Sequence, residues 1–349
     1  MTEATLTQPQ RRFSPGRLLT SGSLSELTIF ALLVLIVVAF SLLTPPGTFL
    51  SVQNIESIAL TGSQLALIGA GVTFLLIAAG IDLSVGSMVA FSSVAAAQVM
   101  STMTANLLGE ERTLWAVLGP VLLGALVAVL VGTGWGVVNG LIVTRTKIPP
   151  FVATLATSTL ILGLTQIWSG GVNVTGAPVE LQTAYGMGKF LGVIPYPVLT
   201  AAIVVAVLWF VLAKTRFGLR NFAIGANPES ARRAGINVDR HLIVVYGMVG
   251  LLSGIVGTID VARYTTATIS GYTGTALAAI TAVVIGGTSL WGGRGRMSGT
   301  IVGAFIPATL TSGFVVMGLP PFWQNVAIGV VLLLAVWADQ YRRSRAARG

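Results

Sequence analysis

The chain has 349 residues, of which 54% are hydrophobic and only 9% are charged, whereas about 25% of the residues of a soluble domain are charged. This composition excludes an ordinary soluble protein. The chain has no cysteine and one histidine, His241, which excludes disulfides, thiol chemistry and a metal site built on Cys and His. The formal charge of +9 does not indicate nucleic acid, because the basic residues form no stripe with aromatic residues between them.

Ten apolar runs follow one another along the chain. Each is close to the about 20 residues that a helix needs to cross a hydrocarbon core about 30 Å thick. The sequence therefore predicts an all-α integral membrane protein with ten transmembrane helices. The predicted spans are residues 27–43, 58–80, 83–103, 115–143, 151–168, 194–213, 242–262, 275–291, 298–316 and 322–338.

Basic residues predict the orientation of these helices, because cytoplasmic loops collect Lys and Arg. With the N-terminus inside and ten crossings, only Arg112, Lys189 and Arg263 of the 20 basic residues lie outside. Both termini are therefore predicted to be cytoplasmic. The chain divides into a cytoplasmic tail at 1–26, a membrane domain at 27–341 and a basic cytoplasmic tail at 342–349.

Small residues recur at every fourth position in three of the predicted spans. Such ridges let the backbones of neighbouring membrane helices approach closely. They predict a compact bundle rather than isolated anchors. The ridges consist of Gly124, Ala128, Gly132, Gly136 and Gly140 in the fourth span, Gly250 and Gly254 in the seventh, and Gly299 and Gly303 in the ninth.

Ionisable residues are rare in the predicted spans, although ion-coupled carriers usually hold them inside the bilayer. Asp82, Asp260 and Arg263 are predicted to mark water boundaries at span ends. The chain also lacks the GxxxxGK[ST] loop that binds nucleotide phosphates. We therefore expect a transporter driven by a separate subunit, and the residues leave a secondary carrier or a passive channel as alternatives.

The longest predicted cytoplasmic loop, residues 214–241, carries the signals of a short helix. Asn227 is a good N-cap, Pro228 is favoured at the first helical position and Gly235 suits the C-terminal stop. Together these signals predict a helix of about two turns at Pro228–Ala234. A helix this short is stable only when packed, and helix chemistry alone leaves open whether it is a connector or a docking element.

Four sequence motifs occur along the chain: GIDLSVGS at 80–87, NGLIVTRTKIPPFVATLATSTL at 139–160, AIGANPESARRAGINV at 223–238 and AITAVVIGGTSLWGGRG at 279–295. In this order they resemble the permease subunits of ribose-type sugar ABC importers, and the resemblance covers nearly all of the chain beyond the N-terminal tail. Several motifs in the right order are more specific than any one of them.

The resemblance implies a multi-pass protein of the bacterial inner membrane that imports a monosaccharide or a similar small polar solute. It implies a second permease copy, two cytoplasmic ATPase subunits or one tandem ATPase, and an extracytoplasmic solute-binding protein. The chain itself is expected to be no enzyme and to hold no metal or cofactor, because the partner ATPase uses the ATP and Mg²⁺. The expected ATPase-coupling residues are Asn227, Pro228, Glu229, Ala231, Arg232, Gly235 and Ile236.

Two further groups of residues are candidates for the transport path. Asp82 and Ser84 are expected at a tight cytoplasmic junction, where Asp82 either caps the third helix or forms a gate. Polar residues inside the spans either contact the solute or make ordinary interhelical hydrogen bonds. These path candidates are Gln64, Asn139, Thr154, Thr157 and Gln166.

Overall fold

The structure is a computed structural model that describes residues 16–105, 114–320 and 322–348. Residues 1–15 of the predicted N-terminal tail, and the side chains of the C-terminal tail at 342–349, lie outside the described part. Helices dominate the described part. They are α1 (Gly16–Leu43), α2 (Val52–Ile77), α3 (Val85–Ala105), α4 (Leu114–Thr146), α5 (Pro150–Ser169), α6 (Val179–Leu181), α7 (Tyr196–Lys214), α8 (Arg216–Ala226), α9 (Pro228–Arg233), α10 (Val238–Tyr264), α11 (Thr275–Ile285), α12 (Met297–Val316) and α13 (Phe322–Arg348).

Two small antiparallel sheets join loops between the helices. Strand β1 (Val174–Thr175) pairs with β4 (Thr266–Ala267), while β2 (Lys189–Phe190) pairs with β3 (Ile194–Pro195) as a hairpin. Both sheets lie in segments that connect α5 to α7 and α10 to α11. A π-helical turn at Gln182–Gly186 continues α6.

Seven described helices are long and apolar enough to cross a membrane: α2, α3, α4, α5, α7, α10 and α12. Shorter apolar helical stretches at Leu27–Leu43, Thr275–Ile285 and Phe322–Trp337 coincide with the predicted first, eighth and tenth spans. The predicted eighth span is wrong as a continuous helix. Its 11 helical residues rise only about 16 Å, because a glycine-rich turn follows Ile285.

The small-residue ridges of α4, α10 and α12 are confirmed. A Cβ atom placed on Gly250 would lie 2.0 Å from the carbonyl oxygen of Gly132, and one on Gly254 would lie 2.6 Å from that of Ala128. A Cβ on Gly303 would lie 2.1 Å from the carbonyl oxygen of Ala282 in α11. Any larger side chain at these glycines would push the helices apart, so the ridges determine which helices are neighbours.

The core lies around α2, α3 and α10. Leu67 and Leu76 of α2 and Val245 of α10 are fully buried. By contrast, α4, α7 and α13 turn large apolar side chains outward, as Leu130, Phe210 and Leu333 show. An apolar outer face of this kind is the expected contact with lipid tails, which are as apolar as leucine.

Candidate functional site

The inner junction cluster consists of Asp82, Ser84, Asn139, Thr154 and Tyr246. In these names, inner and outer denote the predicted cytoplasmic and extracytoplasmic ends of the bundle. Ser84 donates both its backbone N–H, over 2.8 Å, and its hydroxyl, over 2.6 Å, to Oδ1 of Asp82. Asn139 Nδ2 of α4 donates to the Ser84 hydroxyl over 2.7 Å. Thr154 Oγ1 of α5 accepts from the backbone N–H of Leu83 over 3.1 Å. The loop that joins α2 to α3 is therefore held by side chains from two other helices.

Tyr246 of α10 completes the inner junction cluster and was missed by the sequence reasoning. Its hydroxyl donates to the carbonyl oxygen of Ile81 over 3.0 Å, and its side chain is fully buried. A single tyrosine in an apolar helix gives no sequence signal that its hydroxyl will meet a carbonyl 165 positions away. This bond ties the loop to α10.

The sequence predicts Asp82 at a water boundary, and its side chain is only 1% exposed, so protein groups rather than bulk water surround it. Its Oδ1 accepts the backbone N–H of Ser84, the residue before the first helical residue of α3, Val85; the choice between a cap and a gate stays a prediction. Non-helical backbone is tolerated at membrane depth only where protein or water covers it. Here the buried polar side chains of the inner junction cluster provide that cover.

Thr157 and Gln166 on α5 have different environments from Thr154. Thr157 is buried and donates to the carbonyl oxygen of Thr154, within its own helix, over 3.1 Å. Gln166 is exposed. The structure thus brings Asn139 and Thr154 together with the predicted Asp82 and Ser84, and it leaves Gln166 apart from them.

The outer network consists of Gln64, Asp260, Arg263 and Tyr272. Gln64 Nε2 of α2 donates to Oδ1 of Asp260 in α10 over 2.7 Å, and Gln64 Oε1 accepts from Arg263 Nη1 over 3.4 Å. The Tyr272 hydroxyl is also hydrogen-bonded to the Asp260 carboxylate. Asp260 lies four residues before the end of α10 and is only 7% exposed, so protein groups rather than bulk water surround its carboxylate.

An outer cavity of about 440 Å³ opens beside the outer network. Its walls come from the first turns of α2, the π-helical turn, the β2–β3 hairpin and the end of α10. Helix α10 is 27 residues long, which corresponds to about 40 Å, so the cavity lies at the opposite end of the bundle from α9. Its lining residues are Glu56, Leu60, Gln182, Gly186, Met187, Lys189, Pro195, Arg263 and Tyr264.

Helix α9 forms where the sequence predicts a short helix, at Pro228–Arg233. Asn227 accepts the backbone N–H of Ser230 over 2.9 Å, which satisfies one of the unpaired donors of the first turn. Gly235 follows the helix with a φ of +83°, a conformation that only glycine adopts without cost. The local capping signals were therefore sufficient to define this helix.

One side chain of α9, that of Ala231, is buried, and the other five are exposed. Ala231 packs with Ala78, Ile224 and Val238. The exposed charges pair within the segment, since Arg232 contacts Asp239 over 2.9 Å and Arg233 contacts Glu229 over 3.3 Å. Ile236, the last of the predicted coupling residues, is half-buried against the same small cluster.

Helix α8 joins this surface to the membrane bundle through residues that the sequence reasoning missed. Asn221 Nδ2 donates to the carbonyl oxygen of Phe74 in α2 over 2.8 Å, and Asn221 Oδ1 lies 3.0 Å from His241 Nε2 in α10. A Cβ on Gly225 would lie 1.7 Å from the carbonyl oxygen of Ile77. Because these contacts join α8 directly to α2 and α10, the segment that contains α8 and α9 and the bundle are positioned as one unit.

A bundle in which seven described helices are long and apolar enough to cross a membrane is the architecture of a polytopic membrane protein. The model of the family described as "branched-chain amino acid transport system / permease component" matches residues 54–336, and the chain belongs to this family. It is thus a multi-pass protein of the bacterial inner membrane. The resemblance recognised in the sequence motifs is confirmed.

Several relatives match almost the whole chain. The ribose import permease protein of Bacillus subtilis is 38% identical over 320 residues, which cover 91% of this chain and 94% of the relative. The ribose import permease protein of Escherichia coli K12 is 36% identical, with 92% and 95% covered. The D-allose transport system permease protein of Escherichia coli K12 is 34% identical, with 89% and 90% covered.

Proposed function

We propose that this chain is the membrane permease of an ATP-driven importer and that its cargo is a monosaccharide. The observation that carries the proposal is the similarity over about nine tenths of the chain to import permeases for ribose and D-allose. Two copies of the permease would form the membrane unit, two ATPase subunits or one tandem ATPase would supply the energy, and a solute-binding protein would deliver the sugar.

The contacts of α9 support its role as the coupling helix. Its exposed side chains offer both charges to a partner, and its one buried residue, Ala231, packs against the end of α2 and the start of α10. A push on α9 would reach α2 through Asn221 and the loop at Asp82 through α10 and Tyr246. ATP hydrolysis on the partner would drive rigid-body movement of the bundle in this way.

A secondary carrier remains the second candidate because of the buried Asp260. The sequence argument against an ion-coupled carrier was the absence of ionisable groups from the bundle, and Asp260 is such a group. Its hydrogen bonds with Gln64 and Tyr272 are those of a structural carboxylate, which favours the ATP-driven alternative. Sugar uptake that follows a proton gradient in vesicles without any ATPase would instead support the carrier.

The proposed orientation is testable because the chain has no cysteine of its own. We expect a thiol introduced by Ser230→Cys in α9 to react with a membrane-impermeant maleimide in inside-out vesicles and to stay unreacted in intact cells. Val172→Cys, in the segment between α5 and β1, is the matched control with the reverse pattern. Labelling of Ser230→Cys from outside intact cells would contradict the orientation and the coupling role together.

The coupling role itself is tested by the double substitution Glu229→Arg with Arg232→Glu. The charge swap places an arginine beside Arg233 and a glutamate beside Asp239, while exposed ion pairs contribute only about 0.2–1 kcal/mol to stability. We therefore expect a folded permease that no longer co-purifies with its ATPase and takes up sugar at least about tenfold more slowly. Lys214→Glu, also exposed, is the control and should leave both properties unchanged. Normal uptake and normal co-purification of the swapped variant would refute the coupling role.

A further inference from the structure

The outer cavity has the size and the wall chemistry of a small-molecule site. Its volume of about 440 Å³ lies within the range of about 300–1,000 Å³ that is usual for ligand pockets. Leu60, Met187 and Pro195 contribute apolar wall, and Glu56, Gln182, Lys189 and Arg263 contribute polar groups. Ligand sites typically combine such walls with a few polar groups that fix orientation.

The polar groups of the outer cavity match the hydroxyl groups of a neutral sugar. Glu56 and Lys189 form an ion pair at its rim, so neither charge demands a charged ligand. Arg263 has five N–H donors, of which the bond to Gln64 uses one. A sugar hydroxyl can donate a hydrogen bond to the Glu56 carboxylate, and a neighbouring hydroxyl of the same ring can accept one from the Arg263 guanidinium. Adjacent hydroxyls of one sugar can therefore bind both side chains.

An aromatic ring beside the cavity adds a surface for the apolar face of a sugar. The guanidinium carbon of Arg263 lies 4.9 Å from the centroid of the Tyr264 ring, which is within the distance of a cation–π contact. The contact holds both side chains at the end of α10 where they line the cavity. The ring is about half exposed (56%), and the cavity can therefore offer it to a ligand.

The cover of the outer cavity is a defined structural element rather than a loose loop. Gln182 Nε2 in the π-helical turn donates to the carbonyl oxygen of Arg263 over 2.7 Å. A Cβ on Gly186 would lie 2.2 Å from the carbonyl oxygen of Ala262. The turn is thus attached to α10 at two points and the hairpin to α2 at one, through Lys189. Single π-helical turns occur frequently at functional sites.

We propose that the outer cavity is the first subsite for the monosaccharide within the permease, with Arg263, Glu56 and Tyr264 as its binding residues. The inference rests on the proposed function, and it adds the place and the residues of the first contact. The sugar released by the solute-binding protein occupies the cavity between α2, the π-helical turn and α10. Arg263, which lines the cavity, donates to Gln64, and Gln64 donates to Asp260, so the cavity is linked to the outer network.

The test is protection of an introduced thiol in the reconstituted complex of permease, ATPase and solute-binding protein. Leu60→Cys and, separately, Met187→Cys place a thiol in the cavity, and Val172→Cys places one at an exposed position that does not line it. Each variant is labelled from outside with an impermeant maleimide in the presence of D-ribose, D-allose, D-fructose or D-galactose, and uptake of the same sugars is measured in parallel. Two cavity positions keep the test informative where one variant fails to assemble.

We expect the transported sugar to slow labelling of both cavity thiols at least about threefold and to leave Val172→Cys unchanged.

We also expect Arg263→Ala to raise the KM of uptake about tenfold and Arg263→Lys to restore part of the loss. Uptake of a sugar that protects neither cavity thiol would overturn the subsite and leave the proposed function intact. If the binding protein without sugar protects both cavity thiols to the same extent, the cavity is a docking surface for that protein. This result would also overturn the subsite. Transport of none of the sugars would refute both proposals.

Discussion

The segment around α9 and the outer network around Asp260 are two polar regions that differ in how their contacts arise. Around α9 the hydrogen bonds and ion pairs join residues three to seven positions apart, as in Asn227 with Ser230 and Arg232 with Asp239. In the outer network Gln64 and Asp260 are 196 positions apart. The first region follows from local chain chemistry, and the second exists only because α2 and α10 pack side by side.

The difference has an energetic consequence. Contacts of α9 are exposed to solvent, where hydrogen bonds and ion pairs are weak and easily replaced by water. The contacts of Asp260 are buried, where a lost partner leaves a polar group without water to replace it. We therefore expect substitutions at α9 to change partner binding more than stability, and substitutions in buried contacts to change stability first.

The largest effect is expected at Gly225 of α8, where the segment that contains α8 and α9 meets the core. In Gly225→Val the new Cβ atom would lie 1.7 Å from the carbonyl oxygen of Ile77. The backbone can relieve this steric clash only if α8 moves away from α2. We expect a loss of at least about 4 kcal/mol in the free energy of unfolding, measured as loss of the monodisperse protein after heating in detergent. Gly163→Val is the control, because a Cβ there meets open space. Equal stability of the two variants would show that the α8–α2 contact is not rigid.

A smaller effect is expected from Gln64→Leu in the outer network. It removes the donor to Asp260, and a hydrogen bond to a charged group contributes about 1.5–3 kcal/mol. The measurement is a double-mutant cycle with Asp260→Asn, in which the two losses should be non-additive by about 1 kcal/mol or more. Gln166→Leu is the matched control, since Gln166 is exposed on α5. Additive losses for Gln64 and Asp260 would mean that the two side chains do not stabilise each other.

The smallest effect is expected from Asn227→Ala at the start of α9. Loss of the cap costs about 1 kcal/mol, confined to a two-turn helix, so thermal unfolding of the whole bundle should change little. Hydrogen exchange should detect the change as faster exchange at Ser230. Asn237→Ala removes the comparable cap of α10 and is the control for a helix that packing holds in place. Unfolding of the bundle by Asn227→Ala alone would contradict the local character of this region.

The sequence predicted most of the helical architecture because apolar length and small-residue spacing are local properties of the chain. It placed α9 within one residue of its observed end for the same reason. It predicted α11 too long, since the apolar span was extended to residue 291, through the glycine-rich turn that begins at Gly286 and Gly287. The functional roles of the predicted path residues stay predictions.

By itself the sequence determined that the chain crosses a membrane, which residues start and stop α9, and which permease family the motifs resemble. Only the tertiary structure decided that Asp82 and Asp260 are buried and which side chains contact them. The physical reason is that burial and pairing of a carboxylate depend on helices far apart in sequence. Composition and spacing report the preferences of each segment, whereas the packing of α2 against α10 brings together Gln64, Asp260 and the cavity beside them.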